Sequence, residues 1–152
     1  MITETLKIFL TSWILENTDF KTKIEDPLFF KLTKSEMSDK ACFSSKKCKV
    51  KAYYVEDGGI FYIDDLNPEQ NICDKSIILH EMIHHYQKND SRTFDLDEVT
   101  IWTLQERQAI YYQNLFLISQ KRANQNKGPE NVIQCEGGSY LDLQYKYNKS
   151  LE

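Results

Sequence analysis

The segment Ile77-Ile-Leu-His-Glu-Met-Ile-His-His-Tyr-Gln87 limits this chain more than any other. It predicts a helix, with Asp74 as the expected cap. Within it, His80-Glu81-Met82-Ile83-His84 is an H-E-x-x-H sequence. Histidines four apart project from one helical face about one turn apart, so both imidazoles can reach one Zn²⁺ from the same side. Glu81 lies beside that face, where it can take a proton from a zinc-bound water as general base. The flanks matter as much as the motif. Ile77, Ile78, Leu79, Met82 and Ile83 make the helix apolar, and polar groups buried in such a helix are costly unless bound to something.

A catalytic zinc usually has three protein ligands and one open position. The three histidines fall at 80, 84 and 85, and His85 is one residue out of phase, suiting it to a supporting or surface role. The third ligand must then be a carboxylate or a cysteine. Glu106 is the expected one, since it sits inside a long apolar helix where a lone carboxylate needs a partner, with small Ala109 one turn later. Asp95, Asp97 and Glu98 are rivals, but they cluster near a helix start, where acids are ordinary capping residues.

Around this pattern the chain reads as an α+β domain with a small antiparallel sheet. Leu6, Phe9, Leu10, Trp13 and Ile14 recur at helical spacing and predict an amphipathic first helix rather than a signal peptide. Leu28–Leu32 reads as a short strand, and Thr33-x-x-Glu36 as a capping box opening a helix toward Ala41. Val50–Val55 and Ile60–Asp64 read as a hairpin about the turn Glu56-Asp57-Gly58-Gly59. A second long helix is expected from roughly Asp97 to Arg122, apolar on much of its circumference and so largely buried. A polar loop over 124–131 and a tyrosine-rich tail follow.

At 152 residues, 41% hydrophobic and 12% aromatic, the chain suits a single domain with a real core, expected over 1–150. Leu151-Glu152 reads as a cloning remnant, and a natural signal sequence is open to having been cut from the start. A formal charge of −4 argues against a dedicated nucleic-acid binder. No apolar run reaches the length of a membrane span. None of the four cysteines forms a Cys-x-x-Cys zinc pair. Their loop-like settings predict disulfides, with Cys42–Cys48 and Cys73–Cys135 favoured, and hence an exported, periplasmic or secreted protein over a cytoplasmic one.

The His-Glu-x-x-His helix, the preceding strand and the downstream Glu106 resemble the gluzincin branch of the zincin metallopeptidases, in minimal single-domain form. The resemblance covers Ile60 to about Gln113. It implies that His80, His84 and Glu106 are zinc ligands and that Glu81 is the catalytic glutamate. It further implies that Ile60–Asp64 is an edge strand to which an extended peptide substrate pairs. Tyr111, Tyr112, Tyr140 and Tyr145 are candidates for stabilising an oxyanion. The long His-x-x-Gly-x-x-His extension and Met-turn of metzincins are lacking, and little chain is left for a second lobe. The expected function is therefore a zinc-dependent hydrolase, most readily a peptidase. The alternative is a zincin-fold binding or regulatory module with weak or no catalysis. A di-iron carboxylate protein would need two Glu-x-x-His pairs, and only Glu81–His84 is present.

Overall fold

The computed structural model describes residues 1–45, 47–90, 96–124 and Cys135. Asp95, the 125–131 part of the polar loop, Tyr140, Tyr145 and the last two residues lie outside that set. The chain divides after Asp90 into two compact units.

The first unit opens with helix α1, Glu4–Asn17. Thr3 caps it, its hydroxyl accepting from the Leu6 N–H at 3.2 Å. Leu6, Leu10, Trp13 and Ile14 are buried at the expected helical spacing, while Phe9 stays partly exposed under the Lys75 ammonium. Strand β1 covers Phe29–Leu32. Helix α2, Lys34–Ala41, begins with the expected reciprocal capping box: Glu36 accepts from the Thr33 N–H and Thr33 from the Glu36 N–H. Strands β2, Ala52–Val55, and β3, Gly59–Ile63, form the expected hairpin.

Two expectations about the sheet are corrected. The sheet is mixed: β3 pairs antiparallel with β2 but parallel with β1, in the order β1-β3-β2. Strand β3 is therefore the middle strand. Its main-chain groups face neighbours on both sides, so residues 60–64 are no free edge for a peptide. Its burial suits a middle strand, with Ile60, Tyr62 and Ile63 buried and only the Phe61 side chain half-buried. On the Phe61 face, Phe30, Phe61 and Tyr53 stack across the three strands at 4.9 and 5.3 Å, and Lys40 of α2 lies over the Phe61 ring.

Helix α3, Ile72–Lys88, packs against β2 and β3. Its cap is Asn71, one turn earlier than expected, and Asn71 Oδ1 accepts from the Asp74 N–H. Asp74 instead lies inside the first turn and accepts from the Asn67 N–H at 2.9 Å, tying the helix to the preceding loop. Ile78, Leu79, Met82, Ile83 and Tyr86 are buried along it. Together with Leu10, Ile14, Met37 and Ile60 they make the core of this unit.

In the second unit, helix α4 runs from Glu98 to Asn124. Its middle carries the buried side chains Ala109, Ile110, Tyr112, Phe116 and Leu117. The first turns do not follow the expectation of a largely buried helix. Val99 is 73% exposed and Trp102 56%, and Leu104 and Tyr111 are exposed as well. Cys42 and Cys48 form a disulfide. Cys73 and Cys135 are also disulfide-bonded, and no cysteine is free.

Candidate metal centre

Helical phase places the histidines. From His80 to His84 the helix turns about 400°, so the two side chains lie about 40° apart on α3. Their Nε2 atoms face each other at 3.2 Å. Two nitrogens bound to one tetrahedral zinc at about 2.0–2.1 Å would stand roughly 3.3 Å apart. The helix therefore holds the pair at ligand spacing.

Gln87, three residues beyond His84, fixes which nitrogen is available. Its Oε1 lies 2.8 Å from His84 Nδ1. A carbonyl oxygen only accepts, so Nδ1 carries the proton and donates, and the Nε2 lone pair is left toward His80. Metal-bound histidines usually have their second nitrogen engaged in this way. The H-E-x-x-H pattern does not single out Gln87; its i+3 spacing from His84 is the sequence signal that marks it.

His85 behaves as its phase predicts. It points about 100° away from His84. Its Nε2 donates to the Glu25 carbonyl at 2.8 Å, so Nδ1 is the acceptor of the Tyr54 hydroxyl at 3.3 Å. Burial, then the carboxylates of Glu56 and Asp57, push the Tyr54 phenol upward, so it remains a donor at neutral pH. His85 thus clamps α3 to β2 and to the chain at Glu25. At the end of α3, Lys88 pairs with Glu56 of the β2–β3 turn at 2.7 Å.

His80, His84 and Glu106 form a group that could hold a metal ion. Each offers one ligand atom, and all three residues are half-buried. Two nitrogens and one carboxylate oxygen match the donor set of open catalytic zinc sites. Glu81 is buried on α3, at 8% exposure.

The rival acids are accounted for otherwise where the structure describes them. Asp97 caps α4, accepting from the Thr100 N–H at 2.9 Å and the Thr100 hydroxyl at 2.6 Å. Those bonds hold its carboxyl below the usual range. Glu98 is exposed in the first turn of α4, where an acid complements the helix dipole. Tyr111 and Tyr112 stand about 140° and 120° around α4 from Glu106, so neither shares its face.

No family model, no curated protein and no solved structure matches this chain. The functional reading therefore rests on the residues themselves.

Proposed function

We propose that the chain is a zinc-dependent hydrolase, most readily a peptidase, in which His80, His84 and Glu106 hold the ion. The observation that carries this reading is the histidine pair, set at ligand spacing with the His84 tautomer fixed by Gln87. Zinc suits the two-imidazole, one-carboxylate donor set. Once bound, it would supply Lewis acidity toward a carbonyl and toward water.

The chain's own residues supply the rest. Glu81 follows His80 directly on α3, and its carboxylate is shielded from bulk water. Glu81 takes the proton from the attacking water and returns it to the leaving amine. Gln87 keeps the His84 ring in place, and His85 fixes the helix carrying His80, Glu81 and His84. The two disulfides fit an oxidising compartment, and we infer that the protein works outside the cytoplasm.

The test is cleavage of a peptide library by the zinc-loaded protein and by Glu81→Gln. Cleavage by the wild type, lost in the variant with zinc retained, supports the reading. A zinc-loaded wild type that cleaves nothing would leave a metal-holding binding module in its place.

A further inference from the structure

The formal charge of −4 conceals a strong asymmetry. Between Lys31 and Lys51 stand seven lysines against Glu36 and Asp39, a net of +5, which leaves −9 on the rest of the chain. The Cys42–Cys48 disulfide lies inside that basic segment. At the start of the loop it closes, Phe43 is 99% exposed. A single exposed apolar side chain is ordinary in itself, but this one stands at a strained loop tip among lysines, where its apolar area is free to enter another apolar phase.

The loop does not let Phe43 fold back. Phe43 and Ser44 both adopt positive φ, 51° and 63°, a region that non-glycine residues rarely enter. Several bonds hold them there. The Ser44 N–H donates to the Ser38 carbonyl at 3.0 Å, the Ser44 hydroxyl to Asp39 at 2.8 Å, and the Ser38 hydroxyl to the Ser45 carbonyl at 2.8 Å. The disulfide closes the same turn. Lys40, Lys47 and Lys49 flank it and are exposed. Lys40 leans over Phe61, and Lys47 and Lys49 make no ion pair among the described residues.

We propose that this loop is a docking point for an anionic lipid surface, with Phe43 entering the headgroup layer and Lys40, Lys47 and Lys49 meeting the lipid charges. A protein partner would be expected to cover roughly 800 Å², far more than one side chain at a loop tip presents. A fluid interface accepts a single aromatic wedge, and stable attachment then needs a second, electrostatic signal, which the lysines provide. Within the first unit, the residues outside this segment carry a net −8, which the same surface repels. This inference does not rest on the metal site.

The experiment is cosedimentation of the full chain with phosphatidylcholine vesicles, with and without phosphatidylglycerol. Binding is expected to the anionic vesicles alone, and to vanish at about 1 M salt, where the screening length falls to about 3 Å. Phe43→Ala should weaken it by about fivefold or more, and each of Lys47→Gln and Lys49→Gln by about fivefold. Both lysines and Phe43 are exposed, so an unchanged near-UV circular dichroism spectrum checks that the variants fold. No binding to anionic vesicles at low salt, equal binding to neutral ones, or Phe43→Ala binding like wild type would each overturn the proposal. So would a concentration-dependent dimer abolished by Phe43→Ala, since a second copy would then cover the side chain.

Discussion

His84 presents its Nε2 to His80 Nε2 at 3.2 Å because Gln87 holds the opposite nitrogen of the His84 ring at 2.8 Å. One residue on the same helix face thus settles both the ring orientation and the tautomer. Gln87→Ala should therefore weaken zinc binding by about 10–100-fold, the range seen when such supporting partners are lost. A competition titration against a chromogenic chelator measures this. Unchanged affinity would mean that the Gln87 contact does not prepare the ring.

Glu81→Gln separates holding the ion from using it. The amide has nearly the same shape but cannot accept a proton as a carboxylate does. Zinc content should stay at the wild-type level, while kcat for any peptide the protein cleaves falls about a hundredfold or more. A variant with an unaltered kcat would remove Glu81 from the mechanism.

Gly59 begins the middle strand with a φ of 99°. A Cβ there would run into the Leu28 carbonyl, which accepts from the Ile60 N–H at 2.7 Å and starts the parallel β1–β3 pairing. Gly59→Ala combines an unfavourable φ with that collision. It should cost more than about 1 kcal/mol, which lowers Tm by about 4 °C or more for a unit of this size. A thermal melt with Tm unchanged would show that the strand start can shift at no cost.

Alkaline pH should unfold the protein through its buried phenols. Tyr53, Tyr54, Tyr62 and Tyr86 are all pushed upward, in each case chiefly by burial. Their folded-state pKa values lie above the unfolded value of about 10, so the stability they contribute is fully present below pH 10. It is lost as pH rises through the folded values. Tyrosinate absorbance should thus rise together with loss of circular dichroism. Early, complete ionisation of every tyrosine in a still-folded chain would contradict this.

The parts of the molecule legible in the sequence are those set by local geometry. The His80–His84 spacing, the Thr33/Glu36 capping box and the phase of His85 each follow from residues within one or two helical turns. Contacts made across long stretches of chain were not readable in the same way. Nothing in Phe29–Leu32 says that it will pair parallel to β3, and that pairing is what turns the expected edge strand into the central one. Asn71 and Asp74 are both good capping residues, and only the Asn67–Asp74 bond shows which turn comes first. Trp102 and Val99 suit a buried helix by composition but lie exposed, because apolar content alone does not say which face is covered.

Metal content tests the account at its centre. Wild type, His84→Ala and Glu106→Ala, each loaded with zinc and dialysed, are compared by elemental analysis. The proposed ligand set predicts one zinc per chain in the wild type, almost none in His84→Ala, and a marked loss in Glu106→Ala with the fold intact. A wild type that retains no zinc, or a Glu106→Ala that keeps a full equivalent at wild-type affinity, would contradict it.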